Sequence, residues 1–202
     1  MSPPPWVPIM VMTGFLGSGK TTLLRSLLAE AAARDTAVLV NEWGEVGLDH
    51  HLLQRLDEAT LLLPHGCVCC SVREDLTQAL RALLERWQGG ALARLSRVVI
   101  ETTGLADPAP ILFTVRTDPV LQHHYRLVRV ITTVDAVNGA AHLSQHPEAL
   151  KQVTSADDLV LTKTDLAPAE TVTALLAHLQ QLNPTARVHR AVHGSLPPET
   201  RH

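Results

Sequence analysis

The stretch GFLGSGKT, Gly14 to Thr21, fits G-x-x-x-x-G-K-[ST] and stands between an apolar run and a run with helical spacing. That context is what a phosphate-binding loop requires. The glycines let the backbone turn tightly and aim its N–H groups inward. The start of the following helix adds the positive end of a dipole. Lys20 is placed to reach β- and γ-phosphates, and the Thr21 hydroxyl to bind Mg²⁺. A second cluster is PHGCVCC, residues 64–70, which holds all three cysteines of the chain: Cys67, Cys69 and Cys70. Adjacent thiols of odd number make a poor disulfide framework. Three thiolates suit Zn²⁺ or Co²⁺ in a tetrahedral site. The fourth donor is left open among His65, Glu42, water and a partner, and buried structural cysteines or a redox couple are the competing readings.

Other polar residues fall just after apolar runs. Glu101 ends RVVIE and is followed by TTGLADP. An acid there would hold the Mg²⁺ shell, and Gly104 would let a backbone N–H approach the γ-phosphate. NEWGEVGLDH, residues 41–50, is rich in glycine and acids and suits a switch segment, with Asp49 as its Mg²⁺-shell candidate. TKTD, Thr162 to Asp165, follows a strand-like run. The Asp165 carboxylate can accept from N1–H and the 2-amino group of guanine, and it disfavours adenine. The stem of Lys163 can lie against the base. The common guanine motif begins with Asn, so Thr162 promises fewer supporting hydrogen bonds.

These groups need a frame that brings strand ends together. Apolar runs of strand length occur at 7–14, 36–42, 59–64, 97–101, 126–135, 158–165 and 186–192. Amphipathic helical patterns occur at 20–35, 71–87 and 169–183, with Ser71 and Glu74 forming a capping-box pattern and Asn183-Pro184 closing the last helix. The alternation implies an α/β fold: three layers, a mostly parallel central sheet flanked by helices. Ligands of such sheets bind at the carboxyl ends of the strands, where every motif above lies.

The bulk composition agrees with one globular domain. The chain has 202 residues, 46% hydrophobic but only 3% aromatic, so its core is aliphatic. A net charge of -3, from 17 basic and 20 acidic residues, gives no sign of a nucleic-acid or membrane surface. No apolar stretch reaches the ~20 residues of a membrane span. The eleven histidines are scattered, with His50-His51 and His123-His124 as the only pairs. We expect a cytoplasmic, reducing environment.

Taken in order, GFLGSGKTTLL, NEWGEVGLDH, GCVCC, ETTGLADPAPI and TKTD resemble the CobW-type metallochaperone GTPases, a family of the SIMIBI class with UreG and HypB as cousins. The match runs from about Val7 to about Gly194. Trp43 stands where that family usually has Phe. The resemblance implies the SIMIBI GTPase fold, with GTP or GDP and Mg²⁺ held through Gly17, Ser18, Gly19, Lys20, Thr21 and Thr22. It implies guanine contacts by Lys163 and Asp165, and Zn²⁺ or Co²⁺ on Cys67, Cys69 and Cys70 with Glu42 as a further donor. Slow GTP hydrolysis would gate metal delivery to a client metalloprotein or a cofactor-assembly complex. Some relatives dimerise across the nucleotide, so a homodimer is an expectation by analogy. The expected organisation is a GTPase domain over 1–194 and a tail or linker over 195–202, without the second domain usual in relatives. Two other readings remain open from the residues: a nucleotide-dependent kinase or NTPase with a structural metal, and a GTP-dependent metal sensor.

Overall fold

The computed structural model describes residues 6–29, 35–40, 60–62 and 71–191. The sites read at Glu42, Asp49, Cys67, Cys69 and Cys70 lie outside the described residues, as does His65. The elements in chain order are β1 (Val7–Gly14), α1 (Lys20–Leu28), β2 (Thr36–Val40), β3 (Thr60–Leu62), α2 (Ser71–Gln88) and β4 (Arg97–Glu101). They continue with α3 (Ala109–Thr117), α4 (Leu121–His124), β5 (Tyr125–Asp135), α5 (Gly139–Gln145), α6 (Pro147–Thr154), β6 (Asp158–Thr162), α7 (Ala169–Leu182) and β7 (Arg187–Arg190). Among the described residues the sheet has seven strands, in the order β3-β2-β4-β1-β5-β6-β7. The β2–β3, β2–β4, β5–β6 and β6–β7 pairings are all parallel. The α/β expectation, a mostly parallel sheet flanked by helices, is borne out.

The chain forms two compact units. One comprises residues 1–10, 34–101 and 109–128. In it Ala37 to Val40 and Val98 to Ile100 are buried, as strands covered on both faces must be. Helix α2 buries Leu76, Leu80, Leu83 and Leu84, one stripe at helical spacing, and each fully buried Leu contributes about 2 kcal/mol. The Tyr125 hydroxyl donates to the Leu80 carbonyl at 2.8 Å, and burial pushes its pKa well up.

The other unit comprises residues 11–33, 102–108 and 129–202. Its core joins Phe15, Val134, Leu159 and Leu161 to Val172, Leu175 and Leu179 on one face of α7. Asp158 is buried at the start of β6. It meets His189 at 2.7 Å, Arg129 at 3.2 Å and Arg187 at 3.7 Å. A carboxylate so deep requires partners, and the Arg129 and Arg187 guanidiniums supply the positive charge.

Four helices, α3 to α6, occupy stretches where periodicity alone suggests no element. They are short, 9, 4, 7 and 8 residues, and prolines punctuate two of them. Proline is tolerated in the first turn, where its missing N–H has no partner to lose, and Pro147 sits there in α6. The expected strand 158–165 stops at Thr162 because Lys163 takes a left-handed backbone, φ 55°. Ser71 is the first helical residue of α2 rather than its cap. Helix α1 is described to Leu28 with Ala29 as its C-cap, short of the expected 35, and residues 30–34 lie outside the description. Asn183 does close α7, its N–H bonded to the Leu179 carbonyl.

Candidate functional site

The Gly14 to Thr22 loop leaves β1 and enters α1. Gly14 has φ +141°, and a Cβ there would lie 2.3 Å from Thr133 Oγ1 and 2.5 Å from the Thr133 carbonyl. Only glycine lets β1 end this close to its neighbour. Gly19 is the N-cap of α1 and no side chain caps the helix. The first-turn N–H groups of α1 are therefore the donors a phosphate would use. Ser18 is buried, and its hydroxyl shares a hydrogen bond with Thr133 at 2.6 Å.

Lys20 is 9% exposed, with its ammonium donating to the Gly14 carbonyl at 2.8 Å and the Phe15 carbonyl at 3.1 Å. The loop thus folds around its own lysine, holding a cation where phosphate charge would be neutralised. Thr21 is half-buried and Thr22 exposed at the start of α1. Phe15 stacks on His146 and tilts against His142, both at 4.5 Å between ring centres. Burial lowers the pKa of His142, with repulsion from His146 and Lys163 adding to it against the attraction of Asp135.

The TKTD segment reaches the same loop. The Thr162 hydroxyl donates to the Ser18 carbonyl at 2.7 Å and lies 3.3 Å from the Val134 carbonyl. Its methyl group would meet a Cβ on Gly19 at 3.5 Å. The departure from Asn at this position therefore does not leave the segment unsupported, as the sequence suggests. A short β-branched hydroxyl fills the gap and ties β6 to the loop. Lys163 donates to Asp135 at 2.7 Å. Asp165 is exposed and makes no hydrogen bond among the described residues, so its oxygens remain open to a base.

Residues 102–106 close on the loop from another side. The Thr102 N–H bonds the Met12 carbonyl at 3.0 Å and its hydroxyl bonds Thr13 at 2.8 Å. Gly104 packs on Leu16 so tightly that a Cβ would lie 2.7 Å from the Leu16 nitrogen and 2.8 Å from its Cα. The need for glycine at 104 is thus met by a close backbone approach. Gln152 donates to the Gly104 and Ala106 carbonyls at 3.1 and 3.0 Å. Glu101, in the other unit, ends β4 opposite Val40 and is 4% exposed.

The described structure therefore brings Gly17, Ser18, Gly19, Lys20, Thr21, Gly104 and Lys163 into one unit. Sequence reading misses Thr133, Asp135 and Gln152. Their signal is weak, since each is a polar residue within or ending an otherwise ordinary apolar or helical run. VITTVD did carry a hint: three polar side chains close an apolar strand, all nearly fully buried.

A glycine-rich loop between strand and helix, a buried lysine and a parallel sheet define the phosphate-loop NTPase class. The family described as "CobW/HypB/UreG, nucleotide-binding domain" matches residues 8–190, and the chain belongs to that family. It is 42% identical over 193 residues to the zinc chaperone YjiA of Escherichia coli K12, covering 94% of this chain and 59% of that protein. It is 34% identical over 197 residues to zinc-regulated GTPase metalloprotein activator 1 of Schizosaccharomyces pombe, covering 94% of this chain and 47% of that protein. The crystal structure of Zn(II)-bound YjiA GTPase from E. coli superposes with a TM-score of 0.76 at 34% identity, covering 100% of this chain and 62% of that one. The chain thus spans about half to three-fifths of the length of these relatives. Among the described residues no helix is long and apolar enough to cross a membrane.

Proposed function

We propose that this chain is the GTP-binding and GTP-hydrolysing part of a cytoplasmic metallochaperone, with residues 1–194 as the working unit. Its cargo is Zn²⁺ or Co²⁺, carried on Cys67, Cys69 and Cys70 with Glu42 as a further donor. The observation that carries the reading is the loop built around Lys20 and fastened by Thr162 to a segment ending in an open carboxylate, Asp165. Two relatives named for zinc chaperone and zinc-regulated GTPase functions support the choice of cargo.

In this reading Gly17 to Thr22 hold the phosphates by backbone donors, and Lys20 neutralises charge on the β- and γ-phosphates. Thr21, Asp49 and Glu101 are hard oxygen donors of the kind that suits Mg²⁺. Bound there, Mg²⁺ would neutralise charge developing between the β- and γ-phosphates. Asp165 and Lys163 select guanine. Gly104 reports the γ-phosphate through the backbone, and Asp49 draws the 41–50 segment toward it. That movement brings Glu42 to the thiolates, so the triphosphate form holds metal and hydrolysis releases it to a client metalloprotein or cofactor-assembly complex. By linkage, metal then tightens GTP by the factor by which GTP tightens metal. By analogy with relatives, two copies of the chain pair across the nucleotide in this scheme.

The test is steady-state phosphate release with GTP and with ATP, for the wild-type chain, Lys20→Ala and Asp165→Asn. GTP should be preferred and Lys20→Ala should lose turnover by about 10²-fold or more, the scale of removing a positioned charge. Asp165→Asn swaps an acceptor for a donor, so guanine preference should fall in favour of xanthine, whose C2 oxygen accepts. Equal use of ATP and GTP by the wild type would contradict the proposal.

A further inference from the structure

Lys163 is the only non-glycine residue with positive φ among the described residues, at 55°. Such a backbone persists in an L-residue only where its surroundings over-determine it. Two contacts do so here. The Leu166 N–H bonds the Lys163 carbonyl at 3.0 Å, closing the turn. The Lys163 ammonium donates to Asp135 Oδ2 at 2.7 Å.

Asp135 is itself fixed. It ends β5 in register with Thr162 at the end of β6, and its side chain is only 2% exposed. Oδ1 accepts from the Val137 and Asn138 N–H groups at 2.8 and 3.3 Å, and Oδ2 accepts from Asn138 Nδ2 at 3.1 Å. Burial acts to raise its pKa, but the hydrogen bonds from Lys163, Val137 and Asn138 outweigh it, so the carboxyl stays ionised. A buried anion on a rigid strand end is a firm anchor for a cationic head.

We propose that Asp135 is a positioning residue of the guanine site, holding the Lys163 head so that its aliphatic stem lies ready for one face of the base. A lysine left free sweeps its stem over many rotamers, and ordering it on binding weakens affinity. With the head pinned, the methylenes form a standing apolar ledge beside a turn that also sets Asp165. Asn138 supports the anchor rather than the base. The inference rests on the reading of Lys163 and Asp165 as the guanine contacts.

The test is calorimetric titration of the full chain with Mg²⁺ and GDP for the wild type, Asp135→Asn, Lys163→Met, the double variant, Lys163→Arg and Asp165→Asn. Asp135→Asn keeps the shape and should weaken GDP about tenfold, the scale of a hydrogen bond between charged groups. In turnover assays its loss should fall on KM for GTP rather than on kcat. Lys163→Met should cost a similar factor, and the double variant should be no weaker than the worse single one. Lys163→Arg, which retains a donor for Asp135, should stay closer to the wild type than Lys163→Met, and this comparison holds even if Asp135→Asn folds poorly. Additive losses, or full affinity in Asp135→Asn while Lys163→Met is impaired, would overturn the role of Asp135 alone. Unchanged GDP affinity in both Lys163→Met and Asp165→Asn would instead remove the guanine reading, and this inference with it.

Discussion

Replacing Thr162 by Val deletes one hydroxyl and keeps the shape, so it isolates the tie between β6 and the phosphate loop. Thr162 is 6% exposed, and its hydroxyl meets the Ser18 carbonyl at 2.7 Å. No cavity opens, since a methyl takes the place of the hydroxyl. What is lost is a short neutral hydrogen bond, and a buried carbonyl is left against a methyl group. Leaving a buried acceptor unmet costs about 1–3 kcal/mol. For a chain of this size 1 kcal/mol moves Tm by about 2–4 °C, so a loss near 2 kcal/mol lowers it by about 4–8 °C. Thermal denaturation followed by circular dichroism, without nucleotide, reads this directly. The same variant titrated with GDP and Mg²⁺ should bind several-fold more weakly, because the loop enters binding with one restraint fewer. A Tm within about 1 °C of the wild type together with unchanged GDP affinity would refute the idea that Thr162 organises the loop.

Other outcomes follow from the same geometry. Gly104→Ala places a Cβ under 3 Å from the Leu16 backbone; overpacking of about 1–3 kcal/mol should cut GTP turnover about tenfold to a hundredfold, measured as kcat/KM. Asp158→Ala strips the buried partner from Arg129, Arg187 and His189 and should cost about 3–5 kcal/mol in urea unfolding, whereas Arg187→Ala, with its side chain 68% exposed, should cost under about 1. Asp135 titrates below its ordinary 3.8 in the folded chain, because hydrogen bonds led by Lys163 overcome the opposing effect of burial. Its stabilisation is therefore complete above that ordinary value and is lost as pH falls through the lower, folded one. Asp135→Asn should accordingly lose less stability than the wild type as pH falls below about 3.8, as read by urea midpoints.

The strands were legible because their runs are continuous and aliphatic, the mark of a sheet covered on both faces. The phosphate loop was legible because its chemistry demands glycine and lysine at fixed spacing with a strand before and a helix after. Helices α3 to α6 were not, since four to nine residues complete too few turns to show a 3.6-residue period, and prolines read as breaks. Thr162 was undervalued for a different reason. Sequence ranks side chains by how many hydrogen bonds they can make, while the structure shows one well-placed hydroxyl reaching the carbonyl that needs it. Asp135 and Gln152 were invisible because the site residues they hold lie far away in the chain, Lys163 at 28 positions from Asp135, and Ala106 and Gly104 at 46 and 48 from Gln152. Only the fold, by setting strand ends side by side, gives them a role. The metal-site and switch residues Cys67, Cys69, Cys70, Glu42 and Asp49 lie outside the described residues, and their case rests on donor chemistry and family membership.

The central claim is that nucleotide state governs metal affinity at the cysteines. The direct measurement is a competitive titration of the reduced protein with Zn²⁺ and with Co²⁺, in Mg²⁺ plus a non-hydrolysable GTP analogue and again in Mg²⁺ plus GDP. A variant with Cys67, Cys69 and Cys70 all changed to Ser serves as control. The account predicts tighter metal binding in the triphosphate form by about 5- to 150-fold, the usual range of coupling between sites, and loss of that binding in the variant. Equal affinity with both nucleotides, or binding that survives in the variant, would contradict it.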